Sequence, residues 1–183
     1  MKKWMLMVCT MAAFFLLGAC GGEDGGQSQG TTAEIGGETY DAGNFSVLVP
    51  DGWLPIVVND MWAEDPSSVD PDQLKLCKDA QSEMDLYTKP SVHIVNYDPG
   101  VDMMRPSPEL YDEAAELDPI TAGDRTWEGM TAVSQGAPLA ILWTGESGAD
   151  QFQVTVWLQV EEVTISLDDA AVQAILSSIQ PAA

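Results

Sequence analysis

The cleanest alternation in the chain runs from Phe152 to Val160. There Phe152, Val154, Val156, Leu158 and Val160 interleave with Gln153, Thr155, Trp157 and Gln159. A period of two predicts a strand with one face on a core. Phe45-Ser46-Val47-Leu48-Val49 alternates in the same way and ends at Pro50-Asp51-Gly52, a turn signal. Trp53 to Val58 reads as the next strand, with Pro55 confining it to an edge or a bulge. The acidic, proline-broken stretch 59–71 is expected to be a loop with a helical turn over Asp60 to Ala63. Leu74 to Lys78 carries two patterns, because Leu74, Cys77 and Met84 have helical spacing while Leu74 and Leu76 alternate; strand is favoured. Ser91 to Tyr97 is a β-rich run closed by Asp98-Pro99-Gly100. Ile120-Thr121, Arg125 to Ser134 and Leu139 to Thr144 follow as strands joined by glycine-containing turns, and Val163 to Ser166 extends or re-enters the sheet.

Two segments predict helices. Ser107-Pro108-Glu109-Leu110 has the order of an N-cap, a first-turn proline and an acid at the positive helix end. Leu110, Ala114 and Leu117 would share a stripe, and Pro119 would stop it. Ser166-Leu167-Asp168-Asp169 opens a closing helix whose apolar face is Val172, Ile175, Leu176 and Ile179, ended by Pro181. Adjacent strands with few intervening helices predict an α+β fold, an antiparallel β-sheet flanked by helices.

Phe45-Ser46-Val47-Leu48-Val49-Pro50-Asp51-Gly52-Trp53 resembles the opening hairpin of the PsbP-like family, and Ala171 to Ile179 is similar to its closing helix. Between these brackets only the order of elements matches. The resemblance implies a PsbP-like α/β/α sandwich over residues 38–183. It implies little about activity, because family members do unrelated things on one fold.

The first residues read differently from the rest. Lys2 and Lys3 precede an uncharged run from Trp4 to Gly22, and small residues occupy its end. A basic start, a short apolar stretch and a small-residue cut site make a secretory signal peptide over residues 1–19. Leu17-Gly18-Ala19-Cys20 resembles the bacterial lipobox, in which the thiol receives a diacylglycerol before cleavage between Ala19 and Cys20. An uncleaved membrane span is the competing reading, since about 20 apolar residues cross a bilayer; Thr10, Gly18, Gly21 and Gly22 dilute the apolar character. Acyl chains on Cys20, palmitate among them, would anchor the protein stably, because two or more chains hold where one does not. The location implied is the extracytoplasmic face of a cell membrane. Residues 20–37 follow as a tether with seven glycines from Gly21 to Gly37, flexible and spanning about 20–25 Å.

Charge narrows the partners. Seven Lys and Arg stand against 29 Asp and Glu, a net charge of −22, and loss of Lys2 and Lys3 with the leader deepens it. Such a surface repels phosphate backbones and anionic headgroups, so nucleic acid is excluded as a partner and the lipid must make the membrane attachment. An envelope protein is the partner class left open. With Cys9 removed and Cys20 acylated, Cys77 is alone and no intramolecular disulfide can form.

No catalytic motif emerges. His93 is the only histidine, and mid-strand it reads as a structural residue; Cys77 with His93 is the sole cysteine nucleophile–base pair the composition offers. No nucleophile elbow, phosphate loop or dinucleotide fingerprint occurs, and no cofactor is implied. Glu64, Asp65, Asp70 and Asp72 gather hard oxygen ligands in one stretch, the weak candidates for calcium, but match no EF-hand spacing. Trp62 in a loop and Trp157 on the polar face of its strand are candidates for an interaction surface. The sequence therefore supports a membrane-anchored lipoprotein acting as a non-catalytic accessory or interaction module, with a glycan- or calcium-binding protein, or a hydrolase lacking a recognisable motif, as alternatives.

Overall fold

The computed structural model describes residues 35–101, 103–145 and 150–182. Its strands are β1 (Gly37–Asp41), β2 (Phe45–Pro50), β3 (Trp53–Asn59), β4 (Val69–Lys78), β5 (Ser91–Tyr97), β6 (Asp112–Ala122) and β7 (Arg125–Ser134), then β8 (Ala137–Thr144), β9 (Gln151–Trp157), β10 (Gln159–Val160), β11 (Val163–Thr164) and β12 (Gln180–Pro181). One α-helix, α1 (Ala170–Ser178), is present among the described residues, with short 3₁₀ turns at Glu83–Tyr87 and Pro108–Leu110. The leader, Ala19, Cys20 and the tether up to Glu34 lie outside the described residues.

Seven strands form one antiparallel sheet in the order β3-β4-β5-β9-β8-β7-β6. A second sheet, β1-β2-β12, has three strands, and β10 pairs only with β11. The strand with the cleanest alternation, β9, lies in the interior of the large sheet, and its apolar residues Phe152, Val154 and Val156 are fully buried. Leu74, Leu76, Val92, Ile94, Trp127 and Leu142 extend that face across β4, β5, β7 and β8. Phe45 and Val47 of β2 and Val172, Ile175 and Leu176 of α1 seal it. The Phe45 and Phe152 rings meet edge to face, 5.9 Å between centroids.

The α/β/α sandwich is overturned. Strand dominates, with 54% of residues in strands and 12% helical, and the one α-helix among the described residues covers one face of the large sheet. The helix expected after Ser107 is a single 3₁₀ turn followed by strand β6. Two register shifts explain the misleading stripe, one between Asp112 and Ala115 and one between Leu117 and Ile120. Each bulge inserts an extra residue, so the sheltered positions of β6 fall at Ala114, Leu117 and Ile120. A bulged strand thus reproduces the spacing of a helix. Pro119 is tolerated because β6 is an edge strand.

The Pro50-Asp51-Gly52 turn is present, but the strands on either side do not form a hairpin: β2 belongs to the small sheet and β3 to the large one. Strand β4 begins at Val69, shortening the expected loop, and the segment Asp60 to Ala63 is a turn. The closing helix has the expected buried face of Val172, Ile175 and Leu176.

Candidate functional site

The second face of the large sheet has no helix over it among the described residues, and its side chains follow from the register. Lys75, His93, Thr155 and Ile141 form one outward row across β4, β5, β9 and β8. Trp157 opposes Leu139 one pair further along. The segment between β5 and β6 crosses this face at one end. There Gln151 donates from Nε2 to the Val101 carbonyl (2.9 Å) and accepts from the Met103 N–H (3.3 Å). Arg105 pairs with Glu128 at 3.0 Å and lies over the Trp143 ring. Met130, Leu139 and Ile141 form a small second core beneath, with Trp143 and Trp157 packed on it. Near the β4 side, Leu86 of the first 3₁₀ turn packs on Ile56, Cys77 and Ala80.

A groove of about 480 Å³ is walled by Leu86 and Tyr87 of the first 3₁₀ turn and by Ser134 and Gln135 of the β7–β8 turn. His93 forms part of its floor, with Lys75, Tyr87, Ser134 and Trp157 around it. Two side chains, Gln73 and Asp70, fix the imidazole. Gln73 donates from Nε2 to Asp70 Oδ2 (2.6 Å), which leaves Gln73 Oε1 facing His93 Nε2 at 3.0 Å. A carbonyl oxygen only accepts, so His93 carries its proton on Nε2 and presents Nδ1 as the acceptor. Burial, aided by the Lys75 charge and partly opposed by Asp70, lowers the His93 pKa to about 4. The ring is therefore neutral at pH 7.

Among the described residues no Asp or Glu lines this groove, although the chain has 29 of them and Asp70 acts on His93 from behind Gln73. Lys75 is half-buried, and among the described residues no carboxylate lies within 4.0 Å of it. Lys89 and Arg105, by contrast, each have an acidic partner.

The other sites expected from the sequence stand apart. Cys77 is buried beside Leu86 rather than hydrogen-bonded to His93, and burial, with the Asp85 charge, pushes its thiol pKa up. That opposes thiolate chemistry. Glu64, Asp65, Asp70 and Asp72 do not converge, and no group of three or more metal-ligating side chains occurs among the described residues. Asp65 accepts from the Ser67 hydroxyl and N–H, which hold its carboxyl below the ordinary value. Asp72 accepts from Asn44 and Asn96 at 3.0 Å each. Trp62 is 96% exposed on the loop between β3 and β4 and does not line the groove, whereas Trp157 does. Lys75 and Gln73 escaped the sequence reading; the one available signal was a lysine at the strand spacing of a polar face in an acid-rich chain.

No family model and no curated protein matches this chain. Among solved structures it is similar to a crystal structure from Bacteroides thetaiotaomicron VPI-5482, at 10% identity and a TM-score of 0.45. That match covers 80% of this chain and 49% of the other, so the chain spans about half the length of that neighbour. Among the described residues no helix is long and apolar enough to cross a membrane.

Proposed function

We propose that this chain is a lipid-anchored extracytoplasmic accessory protein that binds rather than catalyses, with the groove around His93 as its binding surface. Anchoring rests on Leu17-Gly18-Ala19-Cys20 behind a basic and then uncharged leader. A flexible tether would hold the domain clear of the headgroups. The observation that carries the binding role is the contrast between the two faces of the large sheet. One is covered by β2 and α1, with a cavity of about 630 Å³ at the α1–β6 rim that has, among the described residues, neither an aromatic nor a charged side chain in its lining; the other keeps a groove lined by aromatic, hydroxyl and amide side chains around Lys75 and His93. Acid–base hydrolysis of the glycosidase type needs paired carboxylates, and a triad needs a nucleophile hydrogen-bonded to its base. Among the described residues His93 hydrogen-bonds to Gln73 and to no hydroxyl or thiol.

Radiolabelled palmitate tests the anchor. Wild-type protein should take up label and Cys20→Ala should not; equal incorporation in both overturns the anchoring.

A further inference from the structure

We infer that the His93 groove binds an acidic sugar, a pyranose bearing a carboxylate, with Lys75 pairing the carboxylate and Trp157 supplying a stacking face. The inference rests on the binding role proposed above and names its ligand class.

Three observations converge on this chemistry. The first is electrostatic. In a chain of net charge −22, the groove holds a half-buried lysine and no Asp or Glu. Among the described residues Lys75 lacks a carboxylate partner. A half-buried ammonium with no carboxylate beside it is free to pair with an arriving one. With His93 neutral, Lys75 is the one formal charge among the described residues that line the groove.

The second observation is shape. Trp157 and Tyr87 bring aromatic surface to the same cavity, and the ring of Tyr87 is mostly exposed. Flat aromatic faces suit the apolar C–H face of a pyranose. The third is hydrogen-bonding capacity. Ser134 and Gln135 at the β7–β8 turn, with the Tyr87 hydroxyl, offer both donors and acceptors. A planar aromatic acid would leave most of these unused, whereas sugar hydroxyls engage them. A volume of about 480 Å³ falls in the ordinary range for small-ligand sites and suits one or two rings.

Calorimetric titration of the full-length protein with an oligogalacturonate of two to four residues tests the assignment, alongside a neutral galactose oligomer and benzoate. Tryptophan fluorescence provides a second readout. The expected result is saturable binding of the uronate with a change in emission. Affinity should fall about tenfold or more for the neutral oligomer and for Lys75→Met, as loss of a charge-assisted contact implies. Trp157→Phe should retain binding and lose most of the emission change. Absence of uronate binding overturns the assignment. So does equal affinity for the neutral oligomer, an undiminished affinity in Lys75→Met, or benzoate binding as tightly as the uronate. Binding accompanied by cleavage of the oligomer would uphold the groove and its ligand while overturning the non-catalytic role.

Discussion

His93 Nε2 lies 3.0 Å from Gln73 Oε1, on adjacent strands of the open sheet face. Because the Gln73 amide nitrogen is committed to Asp70, this contact fixes the tautomer, while burial and the Lys75 charge keep the ring neutral. A consequence for stability follows. The folded pKa is about 4, below the ~6.5 of an unfolded histidine. Between those values the unfolded chain binds more protons, so the His93 contribution to stability falls as pH drops from about 6.5 to about 4, and is constant above that window. The total is on the order of 3 kcal/mol at most. In urea titrations, His93→Gln should lose less stability than wild type over that interval. Parallel curves for the two proteins would refute the depressed pKa.

Gly129 lies in the interior of β7, where its neighbour across the ladder is Leu142. A Cβ there would stand 2.6 Å from Leu142 Cδ2 and 2.8 Å from the Ile141 carbonyl oxygen, which belongs to the backbone and cannot swing aside. Gly129→Ala should therefore cost about 1–3 kcal/mol as overpacking. Gly136, in the β7–β8 turn, has open space where a Cβ would stand but a φ of +82°. Its alanine variant should lose only about 1–2 kcal/mol, from left-handed strain. Thermal melts of the two variants distinguish steric from conformational cost; a neutral Gly129→Ala would refute the close approach.

The two faces of the large sheet should also differ in mutational sensitivity. Leu176 of α1 is fully buried against the sealed face, and Leu176→Ala should cost about 2–5 kcal/mol. Trp62 is nearly fully exposed, so Trp62→Ala should change stability by less than about 0.5 kcal/mol. Chemical denaturation of the two variants measures both. A large loss in Trp62→Ala would show that this ring packs on something, and so would refute its exposure.

Much of this architecture was legible in the sequence, and the exceptions have physical causes. The alternation of β9 announces one buried face because its pairing is regular along the strand. Strand β6 misleads because Glu-Ala-Ala-Glu-Leu favours helix locally, while pairing with β7 through two bulges imposes strand. Glu113 takes a positive φ of 50° near the first of them, which no periodicity announces. The Pro50-Asp51-Gly52 turn is readable, yet whether its flanking strands pair depends on partners distant in sequence: β2 lies against β1 and β12, and β3 against β4. The groove was hidden for the same reason. Lys75 and His93 are 18 positions apart, and only the β4–β5 register sets them side by side.

Cys77 provides the last check on the fold. Its side chain is buried among Ile56, Ala80 and Leu86, and burial holds the thiol protonated. Alkylation needs both access and the thiolate, so reaction must await opening of the β3–β4 region. In a Cys9→Ser, Cys20→Ala background Cys77 is the sole thiol. An opening free energy of about 4 kcal/mol or more would slow a thiol reagent by on the order of a thousandfold relative to the urea-unfolded chain. Leu86→Ala should raise the native rate by thinning the cover, while Met104→Ala, at an exposed position on another segment, should leave it unchanged. A native thiol that reacts as fast as the unfolded one would show that the first 3₁₀ turn does not seat on β3 and β4, and the wall it forms beside Tyr87 would be lost with it.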